Sequence, residues 1–243
     1  MSSDRRPAGS LYCHAARLPI CSIFGVYFSS DRYPSGINYE PMALLLIRHG
    51  ETDLNAARVV QFPDTPLGEC GRLQVEQLAL SLTARSIELV LTSDYERAKT
   101  TAQTVASRVG AGLSQSPYLR ERHFGEIRGR SYESLGDVDI FAPDYLPPGG
   151  ESWDAFDARM DIAWDEIVSH ARAIAGDLAV VTHGLVLRSF LERKLDASDH
   201  SPEPETVVAN TSVTVVEQMP PWRVVEFASV DHLEAGANDV APV

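Results

Sequence analysis

The chain has 243 residues, 44% of them hydrophobic, with 34 acidic and 21 basic side chains and a formal net charge of −13. That length suits one large domain with an appendage and is enough to bury a sizeable core. The acidic balance argues against nucleic acid and against anionic membrane surfaces as partners. No stretch approaches the ~20 apolar residues of a membrane-spanning helix.

An anionic small molecule would need a local basic pocket that outweighs the global field. Only Lys99 and Lys194 are lysines, which leaves 21 − 2 = 19 arginines. Arginine suits bidentate contacts to phosphate. Cys13, Cys21 and Cys70 form neither a disulfide framework nor a Cys-x-x-Cys metal site, so reduced thiols in a cytoplasm are the simplest expectation.

Residues 1–41 differ from the rest. Their charges (Arg5, Arg6, Arg17 and Arg32 against Asp4, Asp31 and Glu40) sum to 4 − 3 = +1, leaving −14 for residues 42–243. Leu18 to Phe28 is weakly apolar and follows basic residues, but no small-x-small cleavage site comes after it. A poorly ordered extension, with translation starting at Met42, is the expectation.

From Met42 onward strands and helices alternate. Strands are expected at Ala43–Ile47, Glu88–Thr92, Leu178–Thr182 and Val213–Glu217, with Arg223–Phe227 as an edge strand. Helices are expected from four apolar stripes: Val75, Leu78, Ala79 and Leu82; Ala98, Thr101, Ala102 and Val105; Phe156, Met160, Trp164 and Ile167; and Leu187, Phe190 and Leu191. Turn-rich stretches cover Phe62–Gly71, Pro143–Gly150 and Ser198–Glu205. The pattern indicates an α/β fold, a three-layer α/β/α sandwich with a mostly parallel central sheet and an antiparallel edge strand. The domain spans 42–234, and 235–243 is a tail.

In open α/β sheets ligands bind beyond the carboxyl ends of the strands. Three groups fall at such ends: Arg48-His49-Gly50 after the first strand, Ser93 to Arg97 after the second, and His183-Gly184 after the third. One crevice there gathers two arginines, two histidines and helix N-terminal amides, all of which favour a dianion. Imidazole, with an unperturbed pKa of ~6.5, is mostly neutral near neutral pH, and adjacent guanidinium groups keep its lone pair free to attack phosphorus. Arg48, Arg97 and His183 would then hold the phosphoryl oxygens. Asn210 starts a strand and is a further candidate for the crevice wall.

Leu46-Ile47-Arg48-His49-Gly50-Glu51-Thr52, with Asn55 three residues on, resembles the signature of the histidine phosphatase superfamily, also called phosphoglycerate mutase-like. Asp64-Thr65-Pro66-Leu67 with Gly71, Ser93 to Ala98 with Thr101-Ala102, Leu119 to Gly125, and Thr182-His183-Gly184 resemble its later segments in order. The resemblance covers about residues 43–227. It implies that His49 becomes a transient phosphohistidine and that Arg48, Arg97 and His183 bind the phosphoryl group. Glu121 would be general acid and then base, and Asn55, Thr52 and the Gly184 amide would add substrate contacts. It also implies that no metal or organic cofactor is needed.

His49, Glu51, Glu121 and His183 could be drawn as a metal set, but the neighbouring arginines disfavour a cation. Two departures from the family pattern stand out. Gly68 replaces the usual threonine after Pro66-Leu67, which weakens a helix cap. Leu185 follows His183-Gly184 where mutases carry Asn, and Gly125 to Pro147 lacks their basic insertion, Arg128 and Arg130 being its only cations. Both features favour a histidine (acid-type) phosphatase acting on a small phosphorylated metabolite in the cytoplasm. The alternatives are a cofactor-dependent phosphoglycerate mutase and a non-catalytic phosphate-ligand-binding protein.

Overall fold

The computed structural model describes residues 42–200 and 208–235. The expectations for residues 1–41, for the end of the Ser198–Glu205 turn region and for the tail beyond residue 235 lie outside the described residues. Six strands form one sheet: β1 (Ala43–Arg48), β2 (Ile87–Ser93), β3 (Gly112–Ser116), β4 (Asp177–Thr182), β5 (Val213–Glu217) and β6 (Val224–Ser229). Their order is β3-β2-β4-β1-β5-β6. The first four in that order run parallel, and β5 and β6 add antiparallel pairings at one side. The expected antiparallel edge strand is therefore an edge pair.

The helices are α1 (Asp53–Ala56), α2 (Glu69–Ser81), α3 (Glu96–Val109), α4 (Trp153–Ala173), α5 (Gly184–Arg193) and α6 (Asp231–Ala235). The two-residue alternation of a strand assigns the side chains of β1 to two cores. Leu44 and Leu46 pack with Phe156, Met160, Ile167 and Phe190 of α4 and α5. Ala43, Leu45 and Ile47 pack with Leu78, Ala79, Ala98, Ala102 and Val105 of α2 and α3. Strand β4 splits in the same way, Leu178 and Val180 against Ala179 and Val181. A sheet buried on both faces needs apolar residues at every position, which is why both strands read as unbroken apolar runs.

Strand β3, Gly-Leu-Ser-Gln-Ser, was not expected from the sequence. It pairs with β2 alone and is exposed or half-buried along most of its length, so its residues need no apolar run. The turn-rich stretch Phe62–Gly71 ends earlier than expected, because α2 begins at Glu69. Gly68 is the N-cap of α2 and supplies no side-chain cap hydrogen bond, in line with its departure from the usual threonine. Gly71 permits a close approach: a Cβ there would stand 1.9 Å from the Glu51 carbonyl oxygen.

Residues from a short 3-10 turn at Gly125–Ile127, through a second at Glu133–Leu135, to Gly150 form an irregular cover, whose Ile127, Leu135 and Ile140 make a small core with Val60 and Phe124. Arg122, only 1% exposed, ties this cover down. Its guanidinium donates to the carbonyls of Glu151 (3.1 Å), Ile140 (3.2 Å) and Tyr145 (2.6 Å) and lies 3.8 Å from the Trp153 ring centroid. A buried cation is tolerated when its donors meet acceptors and its face meets an aromatic ring. Gly125 has φ +55°, and a Cβ there would approach the Pro148 carbonyl oxygen to 2.0 Å, so the cover closes on it only as glycine.

Phe190 is fully buried and stands 5.2 Å from the Trp164 ring. Phe190→Ala is expected to lower unfolding stability by ~3–5 kcal/mol, measured by urea denaturation. A loss under about 1 kcal/mol would contradict the assignment of this residue to the main core.

Candidate active site

Strands β1 and β4 lie side by side and parallel, with Arg48 in register with Thr182. Each chain then leaves the sheet at the same end. The His49 amide donates to the Thr182 carbonyl at 3.0 Å, and the rings of His49 and His183 come to a centroid separation of 5.1 Å, tilted by 58°. His183 is the N-cap residue of α5. Strand β2 flanks β4 on its other side and delivers Arg97 in the first turn of α3. Glu121 arrives from the loop after β3, and Asn55 from α1.

The partners of His49 define its protonation. Nδ1 lies 2.7 Å from the Gly50 carbonyl oxygen, which can only accept, so Nδ1 carries the proton. Nε2 then holds the lone pair and accepts from Arg97 Nε at 3.2 Å. Burial, with Arg97 and Arg48 close by, holds the imidazolium form well below its usual range. His183 is likewise held well below it, by burial and then by Arg97 and His49. Its Nε2 lies 2.9 Å from Ser93 Oγ, and its Nδ1 is buried without a partner.

Arg97 is 2% exposed, and burial lowers its pKa to about 10, so it stays charged at neutral pH. It also donates to the Phe62 carbonyl at 3.0 Å. Arg48 donates from Nη1 to the Val208 carbonyl at 2.5 Å, while its buried Nε has no partner. Glu121 accepts two backbone amides, from Arg122 at 2.9 Å and from Leu185 at 3.2 Å. Burial nevertheless pushes its carboxyl pKa up, against the pull of those amides and of Arg97 and Arg48.

These groups border a cavity of about 280 Å³. Of the residues expected from sequence, Arg48, His49, Asn55, Arg97, Glu121 and Gly184 line it. Thr52, His183 and Asn210 do not; they are buried or half-buried next to groups that do. Thr52 caps α1, accepting the Asn55 amide at 3.0 Å and donating to Gln61 Oε1 at 2.9 Å. Asn210 donates to the His49 carbonyl at 2.9 Å. Of the aromatic residues nearby, Tyr132 lines the cavity, Phe156 belongs to the main core, Trp153 lies beneath Arg122, and Tyr145 packs on the cover.

Sequence reasoning did not identify Gln61, Phe141 or Arg188. Arg188 follows Gly184 by four residues on α5, a spacing that puts both on one helix face and could have flagged it. Phe141 sits in irregular cover, where no periodicity signals orientation. Among the described residues no cluster of three or more His, Cys, Asp or Glu side chains is placed to hold a metal ion. None of their helices is long and apolar enough to cross a membrane.

Two buried histidines and two arginines, gathered beyond the carboxyl ends of adjacent parallel strands and facing the Glu121 carboxyl group, define the candidate active site of this α/β protein. Residues 44–227 match the histidine phosphatase superfamily, branch 1, and the chain belongs to that family. It is 33% identical over 211 residues to phosphoglycerate mutase-like protein 4 of Arabidopsis thaliana, covering 79% of this chain and 86% of that one. Among solved structures it is similar to YhfR of Bacillus stearothermophilus, with TM-score 0.68, 29% identity and coverage of 79% and 99% of the two chains. It is also similar to a mycobacterial glucosyl-3-phosphoglycerate phosphatase solved with VO3, with TM-score 0.65, 26% identity and coverage of 76% and 98%.

The low proton affinity of the two imidazoles makes a direct test. Below the ordinary histidine value of 6.5 the unfolded chain takes up protons on both rings while the folded chain does not. Stability is therefore expected to fall as pH drops through that value. NMR of the ring nitrogens is expected to show both imidazoles still neutral at a pH below the ordinary histidine value. A midpoint for His49 near its ordinary value would contradict this electrostatic reading.

Proposed function

We propose that the protein is a phosphomonoesterase that transfers the phosphoryl group of a small phosphorylated metabolite to His49 and then to water. The observation that carries this reading is the His49 ring itself: Nδ1 is fixed on the Gly50 carbonyl, leaving the Nε2 lone pair beside Arg97. An amine lone pair among guanidinium donors is suited to attack phosphorus in an ester dianion.

In the first step Nε2 forms a bond to phosphorus as the bond from phosphorus to the ester oxygen breaks. Arg97 turns its Nε donor from the imidazole to a phosphoryl oxygen. Arg48, whose buried Nε has no protein partner, supplies a second donor. The Gly184 position supports a third contact, because its Cα side lies against Arg48 and Glu121, where a Cβ would be 3.8 Å from Arg48 Nε and 4.0 Å from Glu121 Oε2. His183 lies beside His49 as a further group for the phosphoryl oxygens, and Asn55 lines the same wall. Asn210 and Thr52 act through their neighbours, holding the His49 carbonyl and Asn55 respectively.

Glu121 protonates the leaving oxygen. Burial raises its carboxyl pKa, which favours the protonated acid this step requires. In the second step the resulting carboxylate takes a proton from water as the water oxygen attacks phosphorus. The phosphorus–nitrogen bond breaks and inorganic phosphate leaves.

Hydrolysis is favoured over mutase chemistry by the cover. Its segment from Gly125 to Pro147 offers two cations, and Arg130 is turned away to the Ser134 carbonyl at 2.7 Å. A bisphosphorylated intermediate would have little to retain it. Assay with 3-phosphoglycerate and a bisphosphate primer separates the two activities. The relatives support a phosphate ester of small size as substrate, and we place the enzyme in the cytoplasm, with residues 42–234 as its catalytic domain.

His49→Ala is expected to abolish hydrolysis of a generic aryl phosphate, and full activity in that variant would end the mechanism. Glu121→Gln is expected to slow esters of poorly acidic alcohols by ~10²–10⁴-fold and nitrophenyl esters much less. Equal losses across leaving groups would remove Glu121 from the acid role.

A further inference from the structure

Glu121 stands on the least regular stretch around the site. It lies between the 3-10 turns Pro117–Leu119 and Gly125–Ile127, in a segment that belongs to neither helix nor strand. The two histidines, by contrast, are fixed by the register of β1 and β4. The amides of Arg122 and Leu185 orient the Glu121 carboxyl group but do not hold the chain beneath it. A shift of about 1 Å takes an acid out of reach of a leaving oxygen and can cost ~100-fold in rate.

Glu151 and Arg159 hold that chain. Arg159, on α4, donates from Nη1 to the Tyr118 carbonyl at 2.7 Å and to the carbonyl of Arg120, the residue before Glu121, at 2.8 Å. Its Nε and Nη2 form a fork on the Glu151 carboxylate at 2.8 and 2.7 Å. Glu151 grips the other side of the acid. Its Oε2 accepts the His123 amide at 3.1 Å, its own amide donates to the His123 carbonyl at 2.8 Å, and its carbonyl accepts from Arg122 Nε at 3.1 Å. The backbone is thus bonded on both sides of Glu121 to one ion pair. The two side chains are only 18% and 14% exposed, so solvent and salt weaken the pair less than a surface one. The Arg159 guanidinium also lies 5.1 Å from the ring centroid of Phe156, a residue of the main core. Only a planar guanidinium serves a carboxylate and two carbonyls at once.

We propose that Glu151 and Arg159 are positioning residues for Glu121 and set where its carboxyl group meets the leaving oxygen. Neither borders the cavity, so both act through the acid. This rests on the phosphomonoesterase reading with Glu121 as its acid, and it deepens that reading by tying proton transfer to α4 and the main core.

The test is the leaving-group dependence of kcat/KM with 4-nitrophenyl, phenyl and propyl phosphate. Glu151→Gln and Arg159→Met are measured alone and combined with Glu121→Gln. Each alone is expected to slow propyl phosphate by about tenfold or more and 4-nitrophenyl phosphate by less than about threefold. Added to Glu121→Gln, each should cost less than about twofold further on propyl phosphate, because the group they position is already gone. A purely structural role slows all three esters alike and in both backgrounds. Equal losses across the esters, or a loss undiminished beside Glu121→Gln, overturns the assignment. Glu151→Gln keeps its size and an acceptor for the His123 amide, so it carries the test alone if Arg159→Met does not fold by circular dichroism. Failure of both to fold makes the pair a folding determinant and overturns the assignment too. A wild-type protein that hydrolyses none of the esters defeats the phosphomonoesterase reading, and a Glu121→Gln protein without leaving-group discrimination defeats the acid; either takes this inference with it. Discrimination in Glu121→Gln but not in the pair variants defeats this inference alone.

Discussion

The site depends on the parallel pairing of β1 with β4. Arg48 opposes Thr182, so the residue after each strand is a histidine at the same height, and the backbone bond from His49 to Thr182 fixes the two exits together. A slip of one residue would reverse every side chain on β1 and send Leu45 and Ile47 into the wrong core. The apolar packing on both faces of the sheet therefore sets the distance between the two rings. The spacing of the two histidines is inherited from core packing rather than from the loops.

Electrostatics complete what the register begins. The chain as a whole is strongly acidic, yet its cavity is bordered by arginines, and among the described residues Glu121 is the only acid that lines it. Desolvation acts in opposite senses on His49 and Glu121. It lowers the proton affinity of His49 and raises that of Glu121, the divergence that the proposed nucleophile and acid require. Tyr95 links the parts, with its ring 5.4 Å from that of His183 and its hydroxyl accepting from Arg128.

Much of this could be read from residues alone, for identifiable reasons. The double-sided burial of β1 and β4 wrote itself as apolar runs, and the residues following those runs were where the site had to be. The stripes Phe156-Met160-Trp164-Ile167 and Ala98-Thr101-Ala102-Val105 marked α4 and α3, because both helices bury one face. Strand β3 left no such mark because it is a polar edge. The cover was opaque for a different reason. It is held by Arg122 on carbonyls and by Gly125 against Pro148, contacts made by backbone geometry that no periodicity encodes. Thr52 and Asn210 do not border the cavity themselves; each holds a group that does.

The account stands on a covalent bond between His49 Nε2 and phosphorus. The direct measurement is mass spectrometry and 31P NMR of the Glu121→Gln protein, mixed with an activated aryl phosphate and quenched in alkali. A phosphoramidate stable to alkali and labile to acid, mapped to His49, is the predicted result. Turnover of the ester with no phosphate on that ring, or with phosphate on another residue, would contradict it.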